Sequence, residues 1–311
     1  MDLLKTLRSK IEGLPEGDHQ EGLIAVLLHI ETAFQHLERG ESSLEHSAFT
    51  DAVYRTNQAF EGTIKETYRV LTGKDASRIT PYEIEQHLEK EGIFRNRVLA
   101  QFKNYRTEWR NPSAHNHKLD FESSEAVLAI LSISAFAYLC IEEIYQRLSY
   151  LNAESDVSSS NTGDALEIHL NPMEAISDII IQFWQKNILH SSNHERVLEN
   201  EIIGALHGFI SKIAPDIKVQ TDTRLNNDDH LRADLLLETH GQQVVVEIRR
   251  GRSDTDEGYG LISLRRLLNI GGINNGILFH APLERLDLQK RSIELPPSES
   301  HNHIILINSY K

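Results

Sequence analysis

A chain of 311 residues is long for one hydrophobic core and natural for two, and 40% apolar with 25% charged residues is the balance of a folded chain rather than a disordered one. The formal net charge of −14 works against indiscriminate attraction to nucleic acid, so contact with a polyanion would need local cationic sites. The single cysteine, Cys140, allows no disulfide framework within the chain; it fits a reducing cytoplasm and a small core residue. The opening MDLLKTLRSKIEGLPEG lacks the apolar core and small-residue cleavage site of a secretory signal.

Helices dominate the first half. Leu3 to Ile11 is short and ends near Gly13 and Pro15. Glu21 to Arg39 repeats Leu23, Val26, Leu27, Ile30, Phe34 and Leu37 at helical spacing, with Gly40 as its stop signal. Ala48 to Leu71 ends at Gly73. Pro81 to Lys90 starts from Thr80 with Pro at the first helical position and Glu83 at the third, a capping box. Phe94 to Arg110 and Ser123 to Leu151 follow, and five or six amphipathic helices with short connections make a bundle. The run Ala126 to Ile141 is apolar enough to suggest a membrane span, but it holds Ser132 and Ser134 and is flanked by acids, so a central bundle helix is expected and no membrane partner. His29 and His36 share a helical face, and two ligands without a third do not make a zinc site.

Between the last two helices lies YRTEWRNPSAHNHKLD, Tyr105 to Asp120. Pro112 lacks an N–H and disfavours the α region at Asn111, so a corner is expected there, with Arg110 on the last helical turn and His115 just beyond the break. A guanidinium and an imidazole converging on one small anion suggest phosphodiester cleavage. The base removes a proton from a 2′-hydroxyl and the cation holds charge developing on phosphorus. Lys103 and Arg106 supply a local basic site beside Arg110. His117 stands close enough to substitute for His115 or to flank it.

This R-N-x-x-x-H pattern between two helices resembles the signature of the HEPN superfamily, small all-α bundles that include metal-independent ribonucleases of toxin–antitoxin, abortive-infection and CRISPR-associated systems. The resemblance implies catalytic roles for Arg110 and His115, with Asn111 as the polar residue after the arginine. It also implies a homodimer, RNA as substrate, no cofactor at this site, and an antitoxin or defence-system partner.

Asn152 to Gly163, NAESDVSSSNTG, is polar, Ser-rich and aperiodic, which places a linker at 152–165 between a helical domain, 1–151, and a second domain, 166–311. Two helices, Pro172 to Asn187 and His194 to Ile213, open that half. Strand-like runs follow at Ile217 to Thr221, Arg232 to Thr239 and Gln243 to Arg249, the last two forming a hairpin about His240-Gly241. A helix from Tyr259 to Leu268, a strand Gly276 to Phe279 and a last strand Ile304 to Ile307 complete a mixed sheet carrying helices.

On the hairpin stand Asp234 and, thirteen residues on, Glu247. Strand alternation sets Glu247 and Arg249 on one face and Val246 and Ile248 on the other. Two carboxylates on neighbouring strands beside a cation suit a hard divalent ion and an attacking water. The stretch from Asn193 to about Phe279 resembles the PD-(D/E)xK, or restriction-endonuclease-like, superfamily. Asp234 matches its first acid, Glu247 the acid of E-x-K, and Glu201 or Glu199 the additional helix acid. The resemblance implies Mg²⁺ or Mn²⁺ held by Asp234, Glu247 and Glu201. Arg249 departs from the family's lysine, since a guanidinium cannot be deprotonated and has a different shape. Arg250 and Arg252 extend this basic run.

The fold expected is therefore multidomain, an all-α HEPN-like bundle followed by an α/β restriction-endonuclease-like domain with a mixed sheet. The function expected first is a metal-independent endoribonuclease acting in phage defence or as a toxin. The alternatives are a metal-dependent DNA endonuclease using the hairpin, with the bundle as dimerisation module, and a nucleic-acid-binding protein that cuts nothing.

Overall fold

The computed structural model describes residues 2–94, 96–115, 119–159, 171–189, 191, 194–226, 228–251, 254–295 and 302–309, with the side chains at 96–97, 114–115, 157–159, 228–230 and 254 outside the description. The chain forms two compact units, Met1–Tyr145 and Gln146–Lys311.

The first unit is helical: α1 (Leu3–Gly13), α2 (His19–Ser43), α3 (Ser47–Thr72), α4 (Pro81–Lys90), α5 (Asn96–Tyr105), α6 (Asn111–His115) and the first part of α7 (Ser123–Ser159). The capping box of α4 forms, with Glu83 N–H donating to Thr80 Oγ1 and Thr80 N–H to Glu83 Oε2. Gly73 closes α3 at φ 69°, the left-handed conformation a helix C-terminus needs. Gly40 does not end its helix: α2 continues to Ser43, because a Cβ at Gly40 would strike the Phe49 ring, and the glycine serves close packing instead. An aromatic cluster of Phe60, Phe94, Phe102, Tyr105 and Phe136 fills the centre of the unit, with Cys140 fully buried on α7.

Residues 152–159 are the last turns of α7, not an irregular linker, and 160–165 lie outside the described residues. Just before this stretch, and within the same second unit, Gly204 and Gly208 leave room for the backbone of Gln146 and Tyr150, so α7 is packed up to its polar end, which composition alone does not show. The helix Ser123–Asp156 is long and apolar enough to cross a membrane by length and composition, and half of its most apolar window is buried inside the protein.

The second unit carries α8 (Pro172–Phe183), a π-helical turn Trp184–Ile188, a 3₁₀ turn His194–Arg196 and α9 (Glu199–Ile213). These are followed by β1 (Lys218–Leu225), β2 (Asp228–Thr239), β3 (Gln242–Gly251), α10 (Asp254–Gly271), β4 (Asn275–Pro282), β5 (Gln289–Ser292) and β6 (His303–Asn308). The sheet runs β1-β2-β3-β4-β6-β5. Its first three strands are antiparallel, β3, β4 and β6 are parallel, and β5 returns antiparallel to β6. Strand β5, QKRS, escapes prediction because it is short, charged and at a sheet edge, where no apolar alternation is required.

The β2–β3 turn has His240 at φ 49° and Gly241 at φ 74°, the paired left-handed conformations that match a hairpin's twist. From Leu235 onward alternation sorts the two faces: Leu235, Leu237, Val244, Val246 and Ile248 join α8 and α9 in one core, whereas Leu236 and Val245 pack with Leu264, Leu267 and Leu268 of α10. Ala233 also packs on the α10 side, so the alternation of β2 breaks at Asp234, where the register with β1 passes over Asp222 at φ 43°.

Candidate functional site

The helical motif does not form the corner that its proline suggests. Asn111 is α-helical at φ −69° and ψ −47°, and the chain passes from α5 through a π-helical turn, Arg106–Arg110, straight into α6. In a regular α-helix Pro112 would lose one bond and press its ring against the carbonyl four residues back. The wider turn, in which Asn111 N–H donates to Arg106 O, absorbs that conflict without breaking the helix. Arg110, Asn111 and His115 therefore stand on one continuous helical segment.

A buried polar network holds that segment. Ser113 Oγ donates to Arg110 O at 3.1 Å and accepts from Asn57 Nδ2 at 2.5 Å, while Tyr54 Oη donates to Ser113 O at 3.0 Å. The Tyr105 hydroxyl lies 2.7 Å from Thr56 Oγ1 and 3.2 Å from Asn57 Oδ1, and burial keeps that phenol protonated. Arg110 is partly exposed. Its Nε and Nη2 donate to Glu61 Oε1 at 3.1 and 2.8 Å and its Nη1 to Asn111 Oδ1 at 3.2 Å. The remaining N–H groups of the guanidinium have no partner among the described residues. The His115 side chain and all of His117 lie outside the described residues.

The basic residues before the motif are engaged rather than free. Arg106 donates to the buried Glu85 at 2.7 Å, and Lys103 reaches Glu89 at 3.0 Å. Sequence spacing could not show these partners, nor Glu61, because each acid is contributed by another helix.

In the second unit the sheet brings Asp234, Glu247 and Arg249 together, and the first turn of α9 delivers Glu199 to them. Arg249 Nη1 lies 3.2 Å from Glu199 and 3.7 Å from Asp234, and Nη2 donates to Glu247. Beyond the Leu235–Val246 pair, Asp234 accepts the Ile248 N–H at 2.8 Å, so a side chain supplies the acceptor that the partner strand no longer gives. Ser263 of α10 donates to Glu247 Oε1 at 3.1 Å, while Glu247 Oε2 is buried with no hydrogen-bond partner among the described residues.

Burial first, and then the Glu247 charge, pushes the Asp234 carboxyl up to about 8. Burial likewise raises Glu247 and Glu199, against the pull of Arg249. Burial opposes the charge on Arg249, yet the three acids together raise its pKa.

Glu201 is not the acid of this cluster. Its carboxylate accepts the Leu198 N–H at 2.5 Å and caps α9, whereas Glu199, two residues earlier, faces the hairpin and also takes Arg250 N–H at 3.2 Å. Two residues on a helix differ by about 200° in direction, and only the fold decides which one looks at the sheet. Arg250 donates to the carbonyls of Pro282 and His194, a structural role instead of a free basic site, and Arg252 lies outside the described residues.

The oxygen-rich donor set and the unmatched Glu247 oxygen suit a hard cation in chemistry. As arranged, however, the carboxylates close on the Arg249 guanidinium, and no group of three or more His, Cys, Asp or Glu is poised to hold a metal ion among the described residues. Comparisons with family models, curated proteins and solved structures return no match for this chain.

Proposed function

We propose that the protein is a nuclease whose principal activity is metal-independent RNA cleavage by the helical unit. The observation that carries this is the single helical segment bearing Arg110, Asn111 and His115, fixed from below by Ser113, Asn57 and Tyr105. A catalytic pair is useful only when neighbouring contacts hold its geometry, and this segment has them. The pattern resembles HEPN ribonucleases, and a homodimer and a defence or toxin role belong to the same proposal.

His115 takes the proton from a ribose 2′-hydroxyl, and the 2′-oxygen attacks phosphorus. The bond to the 5′-oxygen breaks, that oxygen takes a proton from solvent, and the other product ends in a 2′,3′-cyclic phosphate. Arg110, oriented by Glu61 and Asn111, donates its remaining N–H groups to the phosphoryl oxygens as their charge grows.

The hairpin cluster supports a second reading, a metal-dependent nuclease of the restriction-endonuclease-like kind acting on DNA. Its specific support is the convergence of Asp234, Glu247 and Glu199 with one buried oxygen of Glu247 unmatched. Asp234 and Glu247 would hold Mg²⁺ or Mn²⁺, which lowers the pKa of a bound water. For that, the Asp234 proton must leave and Arg249 must release its carboxylates.

Labelled RNA and plasmid DNA, each incubated with EDTA or with Mg²⁺ and Mn²⁺, distinguish the two. The expected result is RNA cleavage that persists in EDTA, drops about 100-fold or more in His115→Ala and survives in Asp234→Ala. Cleavage that requires metal and disappears only in Asp234→Ala would move the active site to the hairpin.

A further inference from the structure

A cleft of about 480 Å³ lies between α2 and α3, lined by His29, His36, Asp51, Tyr54, Arg55 and Gln58. That is the size of a small-ligand site. Asp51 accepts from Arg39 at 2.8 Å, an arginine it shares with Glu45 at 3.2 Å. Burial lowers the pKa of both histidines, aided by Arg55 at His29 and by Arg39 and Arg55 at His36, against Asp51 and Glu45. Arg55 is exposed and has no carboxylate partner among the described residues, unlike Lys103, Arg106 and Arg110, each of which has an acid beside it. An unpaired guanidinium beside two imidazoles capable of donating N–H is a site for a phosphate. Tyr54 adds an aromatic surface, since the residue is 46% exposed although its hydroxyl is bonded to Ser113. A base can stack there.

The cleft is also tied to the motif. Tyr54 and Gln58, which line it, and Glu61, which orients Arg110, follow one another at i, i+4 and i+7 along a single face of α3. Tyr54 and Glu61 are separated by about 10 Å along the helix axis, close enough for one extended strand to touch both.

We propose that this cleft is a substrate subsite of the helical unit. Arg55, His29 and His36 hold the phosphate, and Tyr54 the base, of a nucleotide flanking the one cleaved beside Arg110. This rests on the ribonuclease reading given above, and the two fail separately.

The test uses the full chain and two probes that it cannot cut, a 2′-O-methyl RNA oligonucleotide and adenosine 5′-monophosphate. Their Kd is measured for wild type, Arg55→Ala, Arg55→Lys and His29→Gln/His36→Gln, beside kcat and KM on cleavable RNA. In Arg55→Ala, both Kd for the oligonucleotide and KM should rise about tenfold with kcat little changed. Arg55→Lys should recover part of the loss, and the histidine variant should weaken both probes. Arg55 is exposed, so its replacement leaves the melting temperature unchanged.

Wild-type binding that depends on Arg55 without any RNA cleavage would keep the subsite and sink the ribonuclease. Cleavage with Kd and KM unaltered in Arg55→Ala would do the reverse. A mononucleotide bound through Arg55 when the oligonucleotide is not would mark a free-nucleotide site and overturn the substrate role, and binding of neither probe would overturn it as well.

Discussion

Ser113 carries more of the helical site than its place inside a six-residue motif suggests. It is nearly fully buried and connects the Arg110 carbonyl to Asn57, so Ser113→Ala strands a buried amide donor. The expected cost is about 1–3 kcal/mol, read from chemical denaturation of the whole protein, with Asn57→Ala of similar size. At the hairpin the informative residue is Asp234. Folded, it keeps its proton up to about pH 8, whereas the unfolded chain releases that proton in the ordinary carboxylate range. Its contribution to stability is therefore complete below that range and is lost as pH rises through about 8. Glu247 and Glu199 shift in the same direction. Melting curves between pH 4 and 9 should show wild type losing stability with rising pH and Asp234→Asn losing less. Each 1 kcal/mol corresponds to about 2–4 °C in a unit of this size. Parallel curves for the two proteins would mean that Asp234 is ionised in the folded state at neutral pH.

Two elements depart from what local chemistry dictates. The proline of α6 is accommodated by the π-helical turn before it, and α7 runs on past Tyr150 into its polar end after α9 meets Gln146 and Tyr150 with Gly204 and Gly208. At both glycines a Cβ would run into a backbone carbonyl, of Gln146 and of Tyr150, which cannot move aside as a flexible side chain can. Gly204→Ala and Gly208→Ala should each destabilise the protein by about 1–3 kcal/mol or more. Gly258, inside α10 with nothing near its missing Cβ, provides the contrast. Gly258→Ala should stabilise by about 0.5–1 kcal/mol through helix propensity alone, and urea titrations of the three variants separate the two effects.

For the molecule as a whole, the net charge of −14 matters more once the partners of its cations are known. Lys103, Arg106, Arg249 and Arg250 are bonded within the fold, so few cations near either site remain for a phosphate backbone. Single-stranded RNA held chiefly through Arg110 and Arg55 should lose affinity with salt at a log–log slope of about −1.4, from about −0.7 for each of two phosphates neutralised. Fluorescence anisotropy with the uncleavable oligonucleotide between about 50 and 300 mM salt measures it. A slope several times steeper would show that a broad basic surface, not these two arginines, binds the strand.

The sequence by itself determined the helical first half, the capping box at Thr80, the hairpin about His240-Gly241 and the shared face of Glu247 and Arg249. Each of these is set by period, by turn chemistry or by contacts within a few residues. Tertiary structure decided the rest. It selected Glu199 over Glu201, gave Arg110 its partner Glu61, carried the chain helically past Pro112, and joined His29, His36 and Arg55 into one cleft. The helical passage at Pro112 rests on a widened backbone turn, and the others depend on side chains brought from distant parts of the chain, where spacing along the sequence carries no information about distance in space.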